Sequence, residues 1–153
     1  MTAGAERVEA FLKSQGLKVE LREFDTSTKS SSLAAQALGC GVGEIAKSVV
    51  FQGETPIVVV ISGDRRVDLQ KLAHVVGSRV EMATPEFVRE ATGYPIGGVP
   101  PFPHNGGVRV LPDVSLTRFR WVWAAGGAPN VVFRVSTPQL FKTVGTGQVD
   151  VSA

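Results

Sequence analysis

A lysine at the mouth of an apolar strand and a loop of bare peptide amides are the two features of this sequence best equipped for chemistry. Lys47 opens "KSVVF", so its long cation is directed along one edge of a buried sheet. A lysine there either snorkels from the strand end into water or serves as a fixed cation for a phosphate or a developing oxyanion. The loop is "GYPIGGVPPFPH", Gly93 to His104, twelve residues with three glycines and four prolines. Glycine admits left-handed backbone angles and close approach of a ligand, while proline stiffens the chain and carries no N–H. Donor capacity is therefore concentrated at Gly97 and Gly98. Backbone donors aimed at a carbonyl oxygen are the parts of an oxyanion site, each worth about 10²–10³ in rate. The same composition would also make a rigid surface turn.

Other familiar chemistries lack their parts. The two histidines, His74 and His104, stand thirty positions apart and Cys40 is the sole thiol, so no zinc signature exists. His74 lies inside the apolar pattern of "LQKLAHVVG" and reads as a packing or surface residue. His104, on the loop, is less easily dismissed. Cys40 follows a helix end, where the dipole has the wrong polarity to activate a thiol. There is no GxSxG, no Walker loop and no GxGxxG: "GCGVGEIAK" follows a helix and lacks the lysine–serine/threonine context of a phosphate loop.

The bulk properties exclude more than they select. At 153 residues the chain fits one domain, 1–153. The net charge of +2 does not by itself argue for nucleic acid, whose binders carry clustered basic patches. The longest aliphatic run, "PIVVVI", is far short of the roughly 20 residues that cross a bilayer, so no membrane association is expected. No secretory signal is visible in "MTAGAERVEAFLKSQG". With a single cysteine, this points to the reducing cytoplasm.

Several elements must hold the lysine and the loop in place. "AERVEAFLKSQG" has helical spacing and ends on glycine. "KVELREFD" alternates as a strand with one wet face. "STKSSSLAAQALGCG" reads as a serine-capped short helix. "KSVVFQG" and "TPIVVVISG" form a hairpin whose second strand is deeply buried. "DLQKLAHVVG", with Asp68 as cap, and "TPEFVREATG", with Thr84 as cap and Pro85 in its first turn, are helices flanking the short strand "RVEMA". "GGVRVL", "RWVWAAG" and "NVVFRVS" are strands, and "TPQLFKTVG" is a helix. Irregular alternation with hairpins predicts a mixed α/β fold with a curled mixed sheet.

Six blocks, "IAKSVVF", "SGDRRVDLQKL", "ATGYPIGGVPPF", "LPDVSL", "VWAAGGAPNVVF" and "TPQLFKTVGTGQVDV", follow one another along nearly the whole chain. In that order they resemble the YbaK/prolyl-tRNA-synthetase-associated editing domain family. The resemblance implies a curled, partly barrel-like sheet surrounded by helices, and hydrolysis of the ester of a mischarged aminoacyl-tRNA without a cofactor or metal. By it, Lys47 matches the functional lysine, and Gly97-Gly98-Val99-Pro100-Pro101 matches the active-site loop. Thr92, Gly93 and Tyr94 lead into that loop, and Asp113 matches an acidic position. Pro103 stands where many relatives carry glycine, which would stiffen or redirect His104.

The cysteine-editing branch would have tyrosine near Phe24 and aspartate near Asn130; both are missing here. Gly97 and Gly98 would hold the substrate carbonyl, Lys47 would contact the terminal phosphate or polarise the ester, and Ile96, Val99 and Pro100 would shape a small pocket. The expected partners are the aminoacylated 3′ adenosine of a tRNA, tRNA-Pro or a related one, and a synthetase as a further candidate. Arg65, Arg66, Arg109, Arg118 and Arg120 are candidates for phosphate contacts. The rival reading is a non-catalytic module that keeps the pocket and captures tRNA ends, a nucleotide or a synthetase.

Overall fold

Helix starts in this chain are written in hydroxyls and one carboxylate. In the computed structural model, which describes residues 1–153, α1 (Ala3–Ser14) is capped by Thr2, α2 (Ser31–Leu38) by Ser30 and α3 (Leu69–Val76) by Asp68. Thr84 caps α4 (Pro85–Thr92) and Ser136 caps α5 (Thr137–Val144). Each cap side chain accepts an otherwise unbonded N–H of the first turn. Gly39, Gly77, Gly93 and Gly145 end the last four helices in the left-handed conformation.

The strands are β1 (Leu21–Glu23), β2 (Ile45–Gln52), β3 (Pro56–Ser62), β4 (Glu81–Met82), β5 (Arg109–Pro112), β6 (Trp121–Ala125) and β7 (Val131–Ser136). All were legible as strand segments, but β1 is shorter than the alternation of "KVELREFD" implies. It is an end strand held only by three pairs to β7, and beyond it Phe24 and Asn130 exchange bonds that turn the chain away. Two 3₁₀ turns, Val42–Glu44 and Val114–Arg118, are too short to leave a periodic signal.

The seven strands form one mixed sheet in the order β1-β7-β6-β2-β3-β5, with β4 also paired to β2. The predicted hairpin is present, β2 and β3 running antiparallel from Ala46↔Ser62 to Gln52↔Pro56. β3 is buried from Ile57 to Ser62, as its unbroken apolar run requires. The sheet stays open: β1 and β5 end it without pairing to each other, so its partly barrel-like form stops short of closure.

Alternation along the strands divides the core into two apolar layers. Ala46, Val50, Val58, Val60, Val122 and Phe133 pack with α1, α4, α5 and the loop residues Tyr94, Val99 and Phe102. Phe51, Ile57, Val59 and Ile61 pack on the other face with Leu72 of α3, beside Ala34 and Ala35 of α2. No helix is long and apolar enough to cross a membrane.

The parallel pairing of β2 with β6 is brief. It covers Ile45↔Trp123 and Ala46↔Ala124, and β6 then ends. On that edge β2 is next paired at Phe51 and Gln52, by β4. Residues 47–50 have no strand beside them there.

The turn after β6 is pinned to α1 by close backbone contact. Gly127 has φ 95°, and a Cβ on it would fall on the carbonyl of Gly4, while a Cβ on Gly4 would fall on the carbonyl of Gly127. Gly147 has a similar φ of 80° and open space around it. Gly147→Ala is therefore expected to cost about 1–2 kcal/mol, the left-handed penalty alone. Gly127→Ala should cost clearly more, read by urea unfolding of the two variants side by side.

Candidate active site

The gap in the sheet opens into a cavity of about 430 Å³. The free edge of β2 forms one wall, and the ends of β6 and the start of α2 form others. Ile96, Gly97 and Val99 of the loop close the remaining side. The volume suits a small ligand or the end of a larger one.

Lys47 and the loop, 50 positions apart in the sequence, line this same space. The lysine is half-buried and makes no ion pair. Burial lowers its pKa from the ordinary range, and Arg66 adds to the effect while Asp64 opposes it. Asp64 is already engaged: Arg118 grips its two oxygens at 2.6 and 3.0 Å, and Arg65 stands 3.7 Å away. The hydrogen bond from Arg118 is the main cause that holds the Asp64 carboxyl below its usual range. The one carboxylate whose charge reaches Lys47 is thereby committed to arginine, and Lys47 is left without an ion-pair partner. This also answers the expectation for Arg118, whose guanidinium is not free for phosphate.

The loop offers one amide where two were expected. Gly97 has φ 81°, and a Cβ there would lie 2.6 Å from Lys29 Cβ, so only glycine fits between the cavity and the segment leading into α2. Its N–H has no acceptor in the chain. Gly98, in contrast, donates to Pro95 O at 2.9 Å and is packed against the Ala128 backbone. The Gly98 amide closes the turn that presents Gly97.

Of the remaining predicted residues, Ile96 is exposed at the rim and Val99 is buried in the wall. Pro100 and Pro101 are buried behind the loop and do not reach the cavity. Thr92, Gly93 and Tyr94 form its foundation. Thr92 Oγ1 donates to Val88 O at 2.6 Å and accepts the Tyr94 N–H at 3.2 Å; Gly93 is the left-handed cap of α4. Tyr94 is fully buried and its hydroxyl donates to Pro103 O at 2.8 Å. Burial pushes that phenol up to about 12, with Arg7 opposing. His104 meets the Tyr94 ring edge-on at 6.1 Å, outside the cavity. Pro103 thus anchors the loop through its carbonyl, and His104 is a packing residue beside it.

Asp113 is likewise remote from the cavity. It is wholly buried, and its carboxylate accepts the N–H groups of Ser115 at 2.9 Å and Val151 at 2.8 Å. It caps the second 3₁₀ turn and ties down the C-terminal segment.

Sequence reasoning passed over several wall residues: Thr28, Lys29, Ser30 to Ser32, Ser48 and Trp123. The run "STKSSS" was legible as a helix cap, and Ser48 stands next to the lysine already singled out. Nothing in spacing says that these segments meet.

Comparison with known proteins agrees with this fold. The profile of the aminoacyl-tRNA editing domain matches residues 25–143. The uncharacterized protein YwhH of Bacillus subtilis (strain 168) is 37% identical over 123 residues, covering 79% of this chain and 78% of that one. The multifunctional Ser/Thr-tRNA deacylase ProXp-y of Escherichia coli (strain K12) is 28% identical over 116 residues, 72% and 70% of the two chains. The crystal structure of a candidate trans-editing enzyme for prolyl tRNA synthetase aligns with a TM-score of 0.93 at 39% identity, covering 100% of this chain and 99% of the other. Fold and relatives define the class, aminoacyl-tRNA deacylases. The chain belongs to the aminoacyl-tRNA editing domain family.

Behind the loop, burial drives the His104 imidazole down to about 4, Arg7 pushing the same way and the Pro101 and Pro100 carbonyls opposing. Between that value and the ordinary 6.5 the unfolded chain binds a proton that the native site refuses. This contribution to stability is complete above about pH 6.5 and is lost as the pH falls toward 4. His104→Leu should flatten the acid limb of a melting-temperature profile over that window and leave the neutral limb in place.

Proposed function

We propose that the cavity receives the aminoacylated 3′ end of a tRNA, and that the chain is a freestanding trans-editing enzyme, a single editing domain over 1–153, which hydrolyses the ester of a small, wrong amino acid. The observation that carries this is the meeting of an uncompensated cation, Lys47, with an unbonded amide, Gly97, across one small space. The aminoacylated terminal nucleotide brings a phosphate on one side of its ribose and the ester carbonyl on the other, the two groups such a pair would hold.

Esters of this kind are already activated, so positioning and charge stabilisation can carry much of the rate. The wall is built accordingly. Its only ionisable side chains are Lys29 and Lys47; no carboxylate or imidazole lines it. Lys47 contacts the terminal phosphate or polarises the ester, and the Gly97 N–H takes the carbonyl oxygen as it gains charge. Water attacks, assisted by the neighbouring ribose hydroxyl in place of a protein base. Val99 limits the space for the side chain, so editing proceeds by size as well as by charge. Similarity to the candidate trans-editing enzyme for prolyl tRNA synthetase supports tRNA-Pro or a related tRNA as the carrier. The setting is the cytoplasm, where translation supplies the substrate.

The purified chain should release amino acid from at least one of the Ala-, Ser-, Cys- and Thr-charged tRNAs. Lys47→Ala should reduce kcat/KM by about 100-fold or more, the scale of a lost charge stabiliser, with the melting temperature preserved. Undiminished turnover in that variant would remove Lys47 from the mechanism. Tight binding of the whole panel without turnover would favour the capture module. Affinity for tRNA should also fall steeply as salt rises, because phosphates supply most of it.

A further inference from the structure

Ser48 stands in the middle of the unpaired β2 edge. Its partner across the hairpin is Val60, and the Val60 carbonyl accepts the Asp113 N–H on the far side of β3. Antiparallel partners alternate between hydrogen-bonded and non-bonded pairs. The Ser48 N–H and C=O therefore point away from β3, to the edge that β6 has left. Val50, in the same phase, accepts the Ala83 N–H on that edge at 3.1 Å.

The side chain is as exceptional as the backbone. Ser48 Oγ is buried and has no hydrogen-bond partner, though its residue lines the cavity. Ala46 and Val50 share its face of the strand, and with Ala83, Val88 and Val99 they form an apolar chamber in which this hydroxyl is the orphan. A buried hydroxyl without a partner is costly, and a ligand that supplies the partner removes the cost.

Lys47 and Ser48 are consecutive in the strand, so their side chains leave it on opposite faces. If Lys47 meets the phosphate end and Gly97 the carbonyl, what remains for the chamber is the amino-acid side chain. A charged ammonium would be strongly disfavoured among alanine and valine; a short neutral hydroxyl would not. We propose that Ser48 reads the side chain of the misplaced amino acid and selects one that carries a hydroxyl, seryl over alanyl. This rests on the deacylase reading above and gives it a substrate class.

Single-turnover deacylation of seryl- and alanyl-tRNA sharing one tRNA body tests the assignment. The wild type should favour seryl by about 10–100-fold, as expected when a buried polar group is left unpaired by the wrong substrate. Ser48→Ala should abolish most of that preference by slowing seryl hydrolysis, with the alanyl rate held within about 3-fold, since that substrate makes no bond there to lose. Ser62→Ala, which removes another buried and unpartnered hydroxyl, outside the cavity, should leave the preference intact. Equal slowing of both substrates by Ser48→Ala, or no change in either, overturns the proposal.

Calorimetric binding of stable 3′-amide analogues of seryl- and alanyl-adenosine separates this inference from the one beneath it. Seryl preference that disappears in Ser48→Ala, in a protein that hydrolyses neither tRNA, would reject the deacylase and retain the reader. Equal affinity of the wild type for the two analogues would reject the reader alone.

Discussion

Two parallel strands that pair for two residues and then part are the constraint on which the site depends. Had β6 run on beside β2, the edge at residues 47–50 would be satisfied and filled, and no cavity would exist. Buried main-chain groups without partners are uncommon, and here the Gly97 N–H, which has no acceptor in the chain, belongs to the wall of the opening. β6 stops because Gly126 and Gly127 turn the chain toward α1, where the backbone of Gly127 meets that of Gly4 with no room for a side chain. A close backbone contact between two glycines beside α1 thus sets the length of a strand at the centre of the sheet.

The rest of the molecule keeps that opening from collapsing. β3 supports β2 along its whole length from the other side, so the free edge stays straight without a neighbour. The loop is held from behind by Tyr94, whose buried hydroxyl binds Pro103, and by the Gly98–Pro95 bond that turns Gly97 outward. Asp64 is occupied by Arg118, and Lys47 consequently remains uncompensated. Each of these contacts lies outside the cavity, yet each fixes a group within it. Preorganisation of this kind is what a charge-stabilising site requires, since its donors must not reorganise during the reaction.

The elements were legible in the sequence because their signals are local. Asp68, Thr84 and Pro85 announce helix starts, and "PIVVVI" announces a strand buried on both faces. Lys47 and Gly97 were legible as chemistry, and the order of the blocks brought them into one family. What was hidden is relational. Gly98 is as bare as Gly97, and only the folded turn shows that one amide is bonded and the other is not. Asp113 and His104 look reactive in a string of letters, but packing turns them into a cap and a support. Ser48 has no signature at all. Its importance arises from the strand that fails to cover it, and strand pairing between β2 and β6 spans nearly eighty positions of sequence.

The central claim is that the β2 edge, Lys47 and Gly97 together grip one end of a ligand. Amide chemical shifts of the ¹⁵N-labelled protein, titrated with a non-hydrolysable 3′-aminoacylamino analogue of adenosine 5′-monophosphate, test it most directly. The account predicts that the largest amide shifts and the slowest hydrogen exchange on saturation fall on Ser48 and Gly97, with Gly98 little changed and the Lys47 amide, already bonded within the hairpin, protected before and after. Saturable shifts centred on α3 or β5, leaving the Ser48 and Gly97 amides unmoved, would contradict it.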